Sequence, residues 1–126
     1  MIIGTGVDII EVSRIRNAAL RWKKNFLKRI FTDKELAYSS ERSTSYQHLA
    51  ARFAAKEAVL KALGNGWAKR VEWKDIEIWN EKSGKPNVRL LGEVAKISRK
   101  MGVTDIIISM SHTRTYAVAN AILIKE

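Results

Sequence analysis

The stretch RFAAKEAVLKALG, Arg52 to Gly64, decides how this chain is read. On a helical wheel of about 100° per residue, Leu49, Phe53, Leu60 and Leu63 fall within a narrow arc, with Val59 at its edge. The spacing therefore predicts one long helix, opened by a possible capping box at Thr44 and Gln47 and ended by Gly64 as a left-handed cap. Lys56 lies inside the apolar arc, and Glu57 lies just beside it, next to Ala50. Lys61 follows Glu57 by one turn, with Ala54 beyond. Small residues on that flank let another backbone come close. Two explanations of the charges stand side by side. Glu57 and Lys61 form an exposed i,i+4 pair worth about 0.3–0.5 kcal/mol while Lys56 snorkels to water. Alternatively the helix walls a site in which the carboxylate holds a cation and the lysines meet phosphate.

Working outward from this helix, the segments alternate in type and predict an α+β fold. MIIGTGVDII is a short, β-branched apolar run and reads as a strand. Val12, Ile15, Ala19, Trp22, Phe26 and Ile30 then recur at helical spacing, with a break expected near Asn25. Thr32 and Glu35 form a capping box that opens a second, short helix, and Ser40 to Ser45 reads as a polar loop. After the long helix, Asn65–Gly66 continues the turn. VEWKDIEIW alternates as a strand with an irregularity at Asp75, EKSGKP turns, and NVRLL returns. GEVAKISRKMG is a short helix closed by Gly102, and DIIISMS and TYAVANAILI are antiparallel strands about the turn SHTRT. The predicted order is β-α-α-α-β-β-α-β-β, an antiparallel sheet packed against one long and several short helices.

A chain of 126 residues is the size of one domain, and no linker or repeat divides residues 1–126. It has no cysteine, which excludes disulfides and thiolate metal sites. No basic region precedes an apolar run at MIIGTGVD, and no apolar run nears the roughly 20 residues of a membrane span. The expectation is a soluble, cytoplasmic protein. Twenty-three basic residues against thirteen acidic ones give a net charge of +10, a field that recruits polyanions such as nucleic acid, phosphorylated metabolites, anionic lipid or an acidic protein.

Asp8 sits inside the apolar strand between Val7 and Ile9. A carboxylate taken out of water costs several kcal/mol unless it is paired or binds a metal. It either faces solvent at the strand end, caps the next helix, or serves a site. Gly4-Thr5-Gly6 lacks both the third glycine of a dinucleotide loop and the Gly-Lys-Ser/Thr of a P-loop. His112 lies at a turn with no second histidine near it in sequence, so a histidine metal site is not expected, and His48 reads as structural. Ser109 and Ser111 lack any motif of a nucleophile. Arg14, Arg21 and Lys28 are spaced by sevens, and no acid occurs from Ser13 to Thr32. Such a single-sign face suits an acidic partner surface, although a plain solvated face has the same composition. Together, Asp8, Glu57 and the lysines describe phosphate chemistry with a hard cation and no P-loop.

GTGVDIIEVSRI, FTDKE, RFAAKEAVLKALG and SHTRTYAVA, in this order and at these separations, resemble the holo-acyl-carrier-protein synthases of the phosphopantetheinyl transferase superfamily. The likeness covers essentially the whole chain. Its strongest element is the strand aspartate combined with Lys56-Glu57-Ala58 and Lys61. The resemblance implies transfer of the 4′-phosphopantetheine arm of coenzyme A to a serine of apo acyl carrier protein, a step of fatty acid biosynthesis that releases adenosine 3′,5′-bisphosphate. It implies Mg²⁺ held by Asp8 and Glu57, and Lys61 beside the phosphates. It implies Arg14 and Arg52 facing carrier protein or the site entrance, and His112 near the coenzyme. Arg21 joins Arg14 on the face expected to meet the acidic carrier, and Lys56 with His112 is expected to position phosphate oxygens. Glu57, or a water that it orients, is the candidate base. A homotrimer with active sites shared between subunits is implied as well. The rival from another class is a nucleic-acid-binding module resting on the charge and four tryptophans. It predicts steeply salt-dependent binding and gives no reason for Asp8 or Glu57.

Overall fold

The computed structural model of the chain describes residues 1–40, 44–64 and 71–126. Strand β1, Ile2–Glu11, leads into helix α1, Val12–Ile30, then α2, Asp33–Ser40, and the long helix α3, Ser45–Leu63. A 3-10 turn at Trp73–Asp75 precedes strands β2, Ile76–Asn80, and β3, Pro86–Leu90. Helix α4, Gly92–Met101, and strands β4, Asp105–His112, and β5, Tyr116–Ile124, complete the chain. The α+β order is the expected one. The strands form two antiparallel sheets, a three-stranded one in the order β1-β5-β4 and the β2-β3 hairpin.

Period-two alternation explains the larger sheet. In β5, Ala117, Ala119, Ala121 and Leu123 are buried against α3, while Tyr116 and Val118 face away. In β1, Gly4, Gly6, Asp8 and Ile10 occupy the same alternating face as those alanines, with Asp8 opposite Ala119. A methyl group built on Gly6 would lie 2.0 Å from the Ala58 carbonyl oxygen, and one on Gly4 would lie 2.5 Å from that of Ala62. Bare glycine backbone thus lets β1 settle directly on the alanine flank of α3. Beyond that contact, the outer face of the sheet leaves Val7, Ile9, Ile107, Tyr116 and Val118 exposed.

The long helix differs from a one-sided amphipathic helix. Leu49, Val59 and Leu63 are buried as the wheel requires, but Ala50, Ala51, Ala54, Ala55, Ala58 and Ala62 are buried too. α3 is a central helix, wrapped by the sheet on one side and by α1, α2 and β2 on others. Its Thr44 cap uses the backbone, since Gln47 and His48 donate to the Thr44 carbonyl and no side-chain bond forms. Gly64 ends it at φ +112°, ψ 144°, a glycine conformation other than the left-handed helical one expected. The turn expected at Asn65–Gly66 and positions 41–43 of the loop expected from Ser40 to Ser45 lie outside the described residues, while Ser40 belongs to α2 and Ser45 to α3.

Two other departures have local causes. α1 kinks at Lys23 (φ 51°, ψ −134°), two residues before the break expected at Asn25. Trp22, assigned by periodicity to the buried stripe, is exposed. The second strand starts only at Ile76, because the Glu72/Asp75 capping box winds Trp73–Asp75 into a turn. The Thr32/Glu35 capping box forms as read, with Thr32 N donating to Glu35 Oε1 at 2.8 Å and Glu35 N to Thr32 Oγ1 at 3.3 Å.

Candidate active site

The close approach of β1 to α3 brings Asp8, Glu57 and Lys61 together. Lys61 Nζ donates to Asp8 Oδ1 at 3.0 Å and to the Val7 carbonyl at 3.1 Å. The Asp8 side chain keeps 17% of its exposure and Lys61 keeps 46%. An ion pair this wet contributes at most about 1 kcal/mol, so folding gains little from it. Lys61 therefore reaches across to the strand, where the sequence suggested a pair within the helix. Glu57 is partly buried. Burial first, and then the charge of Asp8, push its carboxyl above the ordinary value of 4.5, while Lys61 opposes them. Glu57 thus feels the charge of Asp8, although the two lie on different elements. Two adjoining carboxylates, one reluctant to ionise, form a hard oxygen donor set that suits a divalent cation whose remaining ligands come from water and substrate phosphate. Among the described residues no cluster of three or more His, Cys, Asp or Glu offers an alternative metal site. A groove of about 550 Å³ runs past Lys61, Thr5, Gly6, Val7 and Asn120.

Lys56 does not join this site, which corrects its assignment to phosphate. Its side chain is wholly buried, and Nζ spends its donors on Glu35 Oε1 at 2.7 Å, the Ile30 carbonyl at 2.8 Å and the Trp73 carbonyl at 3.1 Å. Burial pulls its ammonium below the ordinary 10.5, against the attraction of Glu35. The other oxygen of Glu35 accepts from the Ile78 amide at 2.9 Å. One buried ion pair therefore ties the end of α1, α2, α3 and β2 together. Removing either partner of such a pair costs about 3–5 kcal/mol, because the other charge is stranded.

A second cleft, about 310 Å³, lies between α2, α3, the β2-β3 hairpin and β4, and is lined by Tyr38, His48, Arg52, Asn80, Pro86 and His112. Arg52, expected at the site entrance, is 1% exposed. Its guanidinium stacks 4.3 Å from the Tyr38 ring centre and donates to the Asn80 side chain and, at 3.4 Å, to the His48 carbonyl. His112 is not alone. Its ring meets His48 edge-on at 5.0 Å between centres, and His48 meets Tyr38 at 5.9 Å. His112 Nδ1 is buried and has no hydrogen-bond partner among the described residues. His48, read as structural, therefore belongs to a cationic and imidazole-lined cleft. Its place four residues before Arg52 on the helix was the available signal. Tyr38 and Asn80 gave none, because only the tertiary fold brings them there. Arg14 and Arg21 are exposed on α1, with Arg21 lying 5.1 Å from the centre of the Trp22 ring. The kink at Lys23 separates them from Lys28, so the basic stripe is bent.

Strand, helix and site define an α+β protein that gathers a strand aspartate, a helix glutamate and a helix lysine, and that carries a cationic cleft with a separate lining. The sequence profile of the 4′-phosphopantetheinyl transferase superfamily matches residues 4–121. A holo-[acyl-carrier-protein] synthase of Solibacter usitatus is 45% identical over 123 residues, covering 98% of each chain. The crystal structure of a holo-[acyl-carrier-protein] synthase from Neisseria meningitidis superposes with a TM-score of 0.87 at 32% identity, over 99% of this chain and all of that one. A Bacillus anthracis holo-(acyl-carrier-protein) synthase in complex with CoA (3′,5′-ADP) does so with a TM-score of 0.79 at 34% identity, over 100% and 99%. The chain belongs to the 4′-phosphopantetheinyl transferase superfamily.

Proposed function

We propose that the protein transfers the 4′-phosphopantetheine group of coenzyme A to a serine of apo acyl carrier protein, with Mg²⁺ held by Asp8 and Glu57. The observation that carries this reading is the meeting of Asp8 on β1 with Lys61 at 3.0 Å, one helical turn from Glu57, in a chain 45% identical to a holo-[acyl-carrier-protein] synthase. In the transfer, the serine oxygen forms a bond to the phosphorus that carries the pantetheine arm. The bond from that phosphorus to the bridging oxygen breaks, and adenosine 3′,5′-bisphosphate leaves. Asp8 and Glu57 would hold the divalent cation, which would supply charge neutralisation to the pyrophosphate. Glu57, or a water that it orients, is the base for the serine proton. Lys61 places its ammonium against the leaving phosphate. Arg52, His48 and His112 make their cleft a receptor for the phosphorylated nucleoside end of the coenzyme.

Two surfaces support the partners. The cations of α1, with no acid from Ser13 to Thr32, complement an acidic carrier protein. The apolar outer face of the three-stranded sheet, with Val7, Ile9 and Val118 exposed, fits assembly into a homotrimer that shares its sites between subunits. No helix among the described residues is long and apolar enough to cross a membrane. Incubation with coenzyme A, Mg²⁺ and apo carrier protein tests the activity: the carrier gains the mass of one phosphopantetheine. A carrier that stays unmodified, with or without metal, overturns the reading.

A further inference from the structure

We propose that the Lys61 ammonium and a divalent cation compete for Asp8, so that loading the cation is the event that turns Lys61 toward the substrate. The proposal rests on the reading of Asp8 and Glu57 as cation ligands. Lys61 commits two of its three N–H donors to β1, one to Asp8 Oδ1 at 3.0 Å and one to the Val7 carbonyl at 3.1 Å. Held in this way, it has little left for a phosphate oxygen. An ion bound to the same carboxylate either takes the oxygen that Lys61 uses or lies a few ångströms from the ammonium, and like charges at that separation repel. The exchange is easy because Lys61 is half exposed and its ion pair is weak, whereas the fully buried Lys56 has no such freedom. Once released, the side chain swings on a flexible four-carbon stem rooted in the last turn of α3. The lysine is thus held on the strand until the cation arrives, and cation binding is linked to the position of the phosphate-facing group.

Mn²⁺ binding to the whole protein, followed by the electron paramagnetic resonance signal of free Mn²⁺ with and without coenzyme A, tests this. Lys61→Met should bind Mn²⁺ roughly fivefold more tightly than the wild type, the equivalent of about 1 kcal/mol for a partly exposed ion pair. Lys61→Arg, which keeps the charge, should stay within about twofold of wild type on the same scale. Lys100→Met removes an equal charge from an exposed position in the last turn of α4 and should change nothing. Asp8→Asn identifies the site by losing the binding. If Asp8→Asn loses Mn²⁺ but Lys61→Met binds it no more tightly, or if Lys100→Met tightens it equally, the competition is overturned while the cation reading stands. If Asp8→Asn binds as the wild type does, or no protein binds Mn²⁺ in either condition, the cation reading fails and takes the proposal with it.

Discussion

Glu57 is a residue that folding alone would not choose. Burial and Asp8 both disfavour its charge, so the folded chain holds its proton more tightly than the unfolded chain does. Where the folded pKa is the higher one, the native state binds more protons, and stability falls as pH rises from the ordinary 4.5 through the raised value. Glu57→Gln removes this penalty. The variant should melt at a higher temperature than wild type at neutral pH and at the same temperature below the ordinary carboxylate range, as a calorimetric pH series would reveal. Its transfer rate should fall by about 100-fold or more, the usual worth of a positioned base. Equal melting temperatures across the series would remove the strain, and a retained rate would remove the base. At this scale Asp8 and Glu57 were legible because a carboxylate in an apolar context asks for a reason. The fate of Lys56 was not: the wheel put it in the buried arc, but its partner Glu35 is 21 positions away, and only the packing of α2 on α3 supplies it. The meeting of His48 with His112 is hidden for the same reason.

Among the elements, β1 and α3 set the geometry of the site through a contact that has no side chain on the strand side. Gly6→Ala would force a methyl to 2.0 Å from the Ala58 carbonyl, a backbone atom that cannot turn aside. Either the strand or the helix must move. We expect a loss of about 1–3 kcal/mol in urea unfolding, the usual cost of overpacking, together with weaker cation binding as Asp8 recedes from Glu57. Unchanged unfolding and unchanged Mn²⁺ affinity would show that the contact is dispensable. The element types were legible from periodicity, because alternation and 3.6-residue spacing reflect burial on one face. Periodicity failed where burial is not one-sided. The alanines of α3 add nothing to a stripe drawn for large apolar residues, yet Ala50, Ala54 and Ala58 are at least as buried as Leu49; only the reading of small residues as room for another backbone anticipated them. It failed again in α1, where the kink at Lys23 breaks the stripe and leaves Trp22 in solvent.

For the whole molecule, the charge of +10 and the apolar outer sheet face would suit different partners. Arg14→Glu with Arg21→Glu should raise the KM for carrier protein at least about tenfold, the equivalent of about 1.4 kcal/mol, and leave coenzyme binding as it was. A parallel loss of coenzyme binding would take α1 out of the docking role. Ile9→Asp, placed on the uncovered face, should convert a trimer to monomers in sedimentation velocity and lower transfer. A wild-type chain that sediments as a monomer would refute the assembly. The sequence could state the excess charge, but not that the exposed aliphatics share one sheet face, because that depends on β1 pairing with β5 and β5 with β4.

The alternation of β1 has a consequence that joins these scales. Val7 and Ile9 point outward, and Asp8 between them points toward the helix. A slip of a single residue against β5 would turn the acid out to the surface and drive two aliphatics onto the glycine-lined seam. The strand therefore works as a gauge: the acid that faces the helix and the aliphatics that face solvent are set by one register along the same ten residues, and neither can drift without the other.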